Sequence, residues 1–390
     1  MNAELRRIAD DGEAAQAADV LWRAFNWKPD RMQRFIETLD KDRTLAAFVD
    51  GRVAAVSRMR PFGMYFGGRP VPMGGFSPVG AAPEFRGQGL ATAVTVGQFA
   101  DLRDRGEVLS ALFPASTRLY RGTGFEVAGL WSLLKLPARA LRDIPAAGPT
   151  AAPARQATKD DIPAIKALYA EVARTRNGHL ARPDVWWDRI FEDWDKLHVY
   201  VVEGEGYVRY EHQSRAGWGY VVAVDELVAT TPEAARTLWR LVASSATQSP
   251  DVLLNGPIEH PLLLVLPEQD IALEESLRWM LRLVDAPGAI AARGWPAGVQ
   301  IDVELDLADV HCDWNRGAWR LIVEDGEGRM ERGGSGKVGL AVNGFAALYS
   351  GYASPWTLAE SGLLTGADEA TLAALAAAFA GPMPWMPDFF

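Results

Sequence analysis

The chain has 390 residues, a formal net charge of −10 and a single cysteine. This length is enough for two or three domains, and the ordinary apolar content lets each of them bury a core. The negative charge disfavours nucleic acid and anionic membranes as main partners, and the lone Cys312 excludes an internal disulfide. Neither a signal peptide nor a membrane-spanning run is recognisable, so we expect a cytoplasmic protein.

The first 140 residues are predicted to form an α/β domain that begins with helices and continues with antiparallel strands. Apolar residues first recur at helical spacing, and short strand-like runs follow. Gly67 and Gly68 separate two of these runs and predict a hairpin turn. The predicted helices cover 13–25 and 30–39, and the predicted strands cover 44–49, 53–59, 64–66 and 70–73.

Residues 79–91 carry the clearest chemical signal of the chain. An apolar strand ends at Pro83, and a glycine-punctuated turn then opens directly into a helical run, 90–105. The first backbone N–H groups of a helix have no intrahelical partner, and the helix dipole attracts anions to that end. Glycines remove the Cβ atoms that would keep a phosphate away. The predicted pyrophosphate and cofactor residues are Val79, Gly80, Ala81, Arg86, Gly87, Gln88, Gly89, Leu90 and Ala91.

The loop differs from two common phosphate-binding loops. It has neither the Gly-Lys-Ser/Thr of a P-loop nor the GxGxxG spacing of a dinucleotide fold. It matches the pattern Arg-x-x-Gly-x-Gly/Ala at Arg86, Gly89 and Ala91. Taken alone, this short pattern is equally well explained by an ordinary turn between a strand and a helix.

A second motif follows roughly thirty residues later. Residues 109–113 are predicted to form a buried strand, and a short helix bearing Tyr120 then precedes Gly124 and Phe125. A phenol close to a reacting sulfur can protonate a departing thiolate, so Tyr120 is a candidate general acid. The alternative is a tyrosine that only packs in the helix. The strand that begins at Phe125 is expected to close the first domain.

Together, these two motifs resemble the coenzyme A loop and the tyrosine helix of the GNAT-type N-acetyltransferases. The resemblance implies a β-loop-α-β unit that binds acetyl-CoA as a co-substrate, without a metal. It also places a hydroxyl close to the cofactor, near the position of Ser116. The backbone of Val79 and Ala81 would then pair with the pantetheine arm.

A linker and a second domain are predicted after residue 140. Residues 141–154 contain a low-complexity stretch rich in alanine and proline, and a capped helix begins near Asp161. Strand-like runs at 198–229 precede the sequence Thr-Thr-Pro-Glu at 230–233 and a helix, an order that repeats the first domain. Residues 155–290 are therefore predicted to be a second GNAT-like fold that lacks the coenzyme A loop.

The last segment, 291–390, is predicted to form a small α+β domain. Val299, Ile301, Val303 and Leu305 alternate with polar residues, as in a half-buried strand. Further strands are predicted at 319–323 and 338–342, and helices at 343–349 and 367–379. The whole chain resembles the enhanced intracellular survival family of bacterial GNAT acetyltransferases, in which the third domain is similar to a sterol carrier protein. The resemblance also implies a homo-oligomer, in that family a hexamer.

The proline-rich and aromatic tail, 381–390, has a role in that family. There, the α-carboxylate of the last residue enters the active site of the first domain and helps to deprotonate the amine, which here implies Phe390. A free C-terminus normally frays, but prolines reduce its disorder and aromatic rings supply area for docking. The alternative is a tail that only covers the core or packs in an oligomer.

The resemblance implies acetyl transfer from acetyl-CoA to a primary amine by direct attack in a ternary complex. Aminoglycosides, lysine side chains and small amines remain open as acceptors, and the net charge favours a cationic one. The competing hypothesis is a non-catalytic lipid or acyl-CoA sensor, which Tyr120 and the cofactor loop disfavour. His311, Cys312 and Asp313 could ligate a metal, but no second ligand cluster accompanies them, so we expect a structural role and no metal.

Overall fold

The computed structural model describes residues 3–149 and 151–390. Within these residues, thirteen strands form one mixed sheet that runs through the first two domains, and five strands form a second sheet in the third domain. The predicted fold class, two GNAT-like α/β domains followed by a sterol-carrier-like α+β domain, is confirmed. No helix in the described ranges is long and apolar enough to span a bilayer.

The elements follow one another in three groups. The first group is β1 (Glu4–Arg7), α1 (Asp11–Phe25), α2 (Pro29–Glu37), β2 (Thr44–Val49), β3 (Arg52–Phe66), β4 (Arg69–Ala81), α3 (Leu90–Val96), α4 (Phe99–Asp104), β5 (Leu109–Leu112), α5 (Thr117–Gly122) and β6 (Glu126–Pro137). The second group is β7 (Ala154–Gln156), α6 (Ile162–Ala173), β8 (Leu180–Ala181), α7 (Asp184–Ile190), β9 (His198–Val202), β10 (Gly206–Ser214), β11 (Tyr220–Ala229), α8 (Pro232–Ala243), β12 (Asp251–Asn255) and β13 (Ala272–Leu283). The third group is α9 (Ala286–Ala292), β14 (Ile301–Ala308), β15 (Gly317–Glu324), β16 (Glu327–Arg332), β17 (Val338–Ala341), α10 (Val342–Ser350), α11 (Pro355–Glu360), β18 (Leu364–Thr365) and α12 (Glu369–Ala378).

The continuous helix expected over 90–105 is wrong, because α3 ends at Val96 and α4 starts at Phe99. Gly97 caps α3, and a Cβ there would lie 2.8 Å from the Leu45 side chain. Glycine therefore lets β2 pack closely against the break. Gln98 is buried beside it and donates to the backbone oxygen of Ser57, which satisfies its amide.

Strand exchange between the first two domains is the main departure from the predicted topology. The expected closing strand β6 does not lie beside β5. Instead, β13 lies between them and is antiparallel to both, while the other edge of β6 pairs with β12. Strand β8 also pairs with β3. Residues 272–283 therefore pack between strands of the first domain although they end the second GNAT-like segment along the chain.

The second domain repeats the layout around the cofactor loop. Strands β11 and β12 run parallel and α8 follows β11, as β4 and β5 run parallel and α3 follows β4. The strand-like runs predicted within 198–229 form three strands, β9, β10 and β11, of which β11 is the longest. In the predicted linker, residues 144–149 and 151–153 form neither helix nor strand, and Thr150 lies outside the described residues.

The third domain packs a five-stranded sheet in the order β16-β15-β14-β17-β18 against its helices. The predicted strands and helices of this domain recur as β14, β15, β17, α10 and α12, and β16 was missed. Its core is continuous with that of the first domain. Leu305 and Phe345 belong to the same buried cluster as Met73 and Phe390. The third domain is therefore joined to the strands that form the candidate site.

Candidate functional site

A cleft opens where the parallel strands β4 and β5 part. Their register pairs Met73 with Leu109, Gly74 with Ser110 and Gly75 with Ala111. Beyond Gly75, β4 continues to Ala81 while β5 ends at Leu112. The far edge of this stretch pairs with β3, through Val79 to Ser57, Gly80 to Val56 and Ala81 to Ala55. The near edge thus offers backbone donors and acceptors to an extended ligand.

The glycine loop lies at the outer end of this cleft. Gly87 and Gly89 have φ values of +77° and +78°, the left-handed region that only glycine adopts readily. A Cβ at either position would meet nothing within 4 Å, so the space around the loop is open. Arg86 and Gln88 are exposed, Leu90 is buried under the first turn of α3, and Ala91 is half-buried. The loop therefore presents the start of α3 to an approaching anion.

Tyr120 lies on α5 and is almost fully buried. Its ring packs edge-on against Phe125, with centroids 5.8 Å apart. Burial raises the pKa of the Tyr120 phenol to about 12, so the hydroxyl keeps its proton at neutral pH. Ser116, immediately before α5, is exposed.

A fully buried arginine from the exchanged strand β13 holds the end of α5. Arg282 donates from Nη1 to the backbone oxygen of Thr123 at 2.8 Å and pairs through Nη2 with Asp309 at 2.8 Å. The same Nη2 lies 3.0 Å from Sγ of Cys312. Burial raises the pKa of the Cys312 thiol to about 11, and His311 Nε2 lies 2.8 Å from the Gly122 oxygen. His311 thus joins the third domain directly to α5, and Cys312 does so through Arg282. The sequence did not reveal this connection.

Phe390 lies at the point where β4 and β5 part. A Cβ on Gly75 would come within 2.7 Å of its ring, so glycine at this position makes room for the ring. The ring also contacts Phe62 and Phe113, with centroids 5.0 and 6.1 Å away. The last residue of the chain therefore lies in the first domain, beside the candidate cofactor cleft.

Backbone hydrogen bonds fix the tail that leads to Phe390. Leu130 of β6 donates to the oxygen of Pro384 at 3.1 Å, and Met386 donates back to Leu130 at 2.9 Å. Trp385 donates to the oxygen of Asn177, and the Asn255 amide donates to the oxygen of Pro387. The tail is thus paired with both GNAT-like domains and does not fray.

A buried ionic cluster anchors the tail two residues before its end. Arg182 pairs with Asp388 at 2.9 Å and with Glu226 at 2.6 Å, and the Trp186 indole donates to Asp388 at 2.8 Å. Burial raises the pKa of Asp388 although Arg182 opposes it. Burial also disfavours the Glu226 carboxylate, but Arg182 outweighs it and holds the Glu226 pKa below its usual value. Sequence reasoning missed this cluster, for which the only local signal was an acidic residue inside an apolar tail.

Replacing Arg182 by methionine is expected to lower the free energy of unfolding by about 3–5 kcal/mol, because two carboxylates would stay buried without a cation. Urea unfolding followed by fluorescence measures the change. Arg155→Met serves as the control, since it removes exposed ion pairs to Asp161 and Glu203 and should change stability little. Equal stability of the two variants would contradict a structural role for the buried cluster.

Comparisons with known proteins agree with this geometry. Residues 4–128 and 178–283 match two different family models, both described as an acetyltransferase (GNAT) domain, and residues 286–387 match a sterol carrier protein domain. A GCN5-related N-acetyltransferase structure from Kribbella flavida is 32% identical, covers 100% of this chain and 98% of its own, and has a TM-score of 0.89. One from Anabaena variabilis is 28% identical, covers 100% of both chains and has a TM-score of 0.93. N-acetyltransferase Eis of Mycobacterium tuberculosis is 25% identical over 80% of this chain and 79% of that protein.

The parted strands, the glycine loop and the three-domain order define an acetyltransferase of the GNAT type. The chain belongs to the Eis-like family of GNAT N-acetyltransferases, enzymes whose co-substrate is acetyl-CoA.

Proposed function

We propose that the protein transfers the acetyl group of acetyl-CoA to a primary amine, by direct attack of the amine in a ternary complex. One observation carries the proposal. The cleft between β4 and β5 begins at Gly75, where the Phe390 ring lies, and ends at the exposed glycine loop. A long, extended ligand with a phosphate at one end matches this shape.

Each part of the cleft has a proposed role in holding acetyl-CoA. The free edge of Val79, Gly80 and Ala81 pairs with the amides of the pantetheine arm and positions the thioester. The backbone N–H groups from Arg86 to Ala91 hold the pyrophosphate, and the Arg86 guanidinium adds charge. Ser116 lies at the start of α5 and is proposed to contact the cofactor from that side.

Proton transfer is assigned to two groups. The amine nitrogen forms a bond to the thioester carbon, and the bond from that carbon to sulfur breaks. Tyr120 donates its phenolic proton to the leaving thiolate, and the Phe390 α-carboxylate or a water accepts the proton that the amine loses. Aminoglycosides, lysine side chains and small amines share the required primary amine.

We also propose that the protein forms a homo-oligomer. Light scattering after gel filtration measures its mass directly.

Two assays test the proposed reaction. Calorimetric titration with acetyl-CoA should show saturable binding, and a thiol-release assay with a panel of amines should show amine-dependent turnover. Saturable binding with no turnover on any amine would favour a sensor over an enzyme of this mechanism. Failure to bind acetyl-CoA would contradict the role of the cleft itself.

Tyr120→Phe is expected to reduce turnover by about 10²-fold while leaving stability nearly unchanged, because it keeps the ring packing and removes only the acid. Thiol release at saturating substrate measures the rate, and thermal unfolding measures stability. Phe125→Leu is a suitable control, since it disturbs the ring that packs on Tyr120 but leaves the hydroxyl in place. If Tyr120→Phe retains full turnover, the tyrosine only packs in the core.

A further inference from the structure

A cluster of arginines without acidic partners lies beside the end of the chain. Arg60 of β3 is directly opposite Gly75 in the ladder with β4. Directly opposed residues of an antiparallel pair point to the same face of the sheet. The Phe390 ring lies on that face at Gly75. The Arg60 side chain therefore projects from the same face of the sheet, beside the Phe390 ring.

Three more arginines share this region. Arg58 lies two residues earlier on the same face, almost fully buried, and donates to Thr38. Arg189 of α7 stacks 4.8 Å above the Trp186 ring, and Arg31 stacks 4.6 Å above Trp27. Burial first, and then the charges of Arg58, Arg189 and Arg31, lower the pKa of Arg60 to about 9. Each of the other three arginines therefore disfavours the charged form of Arg60.

Two nearby side-chain carboxylates are already paired elsewhere. Asp40 lies 3.8 Å from Arg43, and Glu192 pairs with Arg34 at 2.6 Å. Within the described part of the chain, none of the four arginines has a carboxylate oxygen within 4.0 Å. The Nε atoms of Arg58 and Arg60 are also buried without a hydrogen-bond partner. Arg58 is almost fully buried and Arg60 is half-buried, whereas Arg31 and Arg189 are exposed. Buried cations without a counter-ion are costly, so an anion brought by a ligand would stabilise Arg58 and Arg60.

We propose, building on the proposed transferase function, that the acceptor is an amine that also carries an anionic group, a carboxylate or a phosphate. The arginine cluster binds the anion while the amine faces the thioester. Phe62, Trp186 and Phe390 supply an apolar wall between the two ends. The net charge of −10 favours a cationic acceptor. The side chains around Arg60 are positively charged, however, and they favour an anionic group at this site.

Three amines of one shape test the proposal. Benzylamine, 4-(aminomethyl)benzoate and 1,4-bis(aminomethyl)benzene carry a neutral, an anionic and a cationic group in the para position. The benzoate should have a kcat/KM at least about tenfold above that of benzylamine, and the diamine should be the poorest substrate. The advantage should shrink in high salt, since screening weakens the contact. Equal rates for the three amines, or a preference for the diamine, would overturn the proposal.

Arg60→Met should reduce the preference for the benzoate to within about threefold of benzylamine. Arg52→Met is the matched control, because Arg52 is exposed at the far end of the same strand, and it should keep the preference. Ligand-detected NMR of benzoate binding to the coenzyme A complex gives a readout that needs no turnover. Binding that depends on Arg60, with no acetylation of any amine, would contradict the transferase proposal and leave the anion site standing. If Arg60→Met binds the benzoate as tightly as the unaltered protein does, the anion site is rejected.

Discussion

Adding one residue after Phe390 is expected to abolish acetyl transfer while leaving acetyl-CoA binding intact. The addition moves the terminal carboxylate by about 3.3–3.6 Å, which is beyond hydrogen-bond reach of an amine that was correctly placed before. The tail cannot slide back to compensate, because Arg182 holds Asp388 and β6 holds Met386. The glycine loop that binds the cofactor lies at the other end of the cleft and should be unaffected.

Thiol release and calorimetric titration of the extended protein measure the two effects separately. Deleting Phe390 should also abolish turnover, whereas Phe390→Leu keeps the carboxylate and should lose much less activity. The same residue added at the N-terminus is a control for the addition itself. Full activity of a protein with a C-terminal tag would remove the carboxylate from the mechanism and leave water as the base.

Gly89→Asp is expected to abolish acetyl-CoA binding. The substitution places a carboxylate at the start of α3, where the proposed pyrophosphate lies, and like charges repel strongly at such a distance. The side chain itself has room, since a Cβ on Gly89 meets nothing within 4 Å. The effect on binding should therefore be electrostatic, with only the modest backbone strain of a positive φ.

Gly106→Asp is a matched control for that strain. Gly106 has a φ of +75° and equally open surroundings, but it precedes β5, at the end of the sheet remote from the loop. The intervening length of β4, from Met73 to Ala81, is roughly 26 Å at the usual rise of a strand. Gly106→Asp should bind acetyl-CoA normally, and Arg86→Ala should weaken binding by about 1–3 kcal/mol. Normal binding by a folded Gly89→Asp protein would reject the loop assignment.

Local sequence was sufficient for those features whose parts lie close together along the chain. The glycine loop and α5 lie within about forty residues, and their shape follows from positive-φ glycines, a helix start and an apolar strand. The strands of the third domain could be predicted for the same reason, since Ile301, Val303 and Leu305 alternate with polar residues. Such patterns depend only on residues close together along the chain, so they can be recognised before the fold is known.

Only the tertiary structure decided how distant segments complete the site. Arg182 and Asp388 are 206 residues apart, and the exchanged strand β13 enters the first domain from the end of the second GNAT-like segment. Arg282 interrupts the apolar run of β13, so the sequence pattern does not predict a buried strand there. The strand can be buried because Asp309 neutralises the Arg282 guanidinium. The arginines around Phe390 likewise come from β3, α2 and α7. Sequence patterns specify local conformation, whereas the pairing of remote charges and strands depends on which surfaces the folded chain brings into contact.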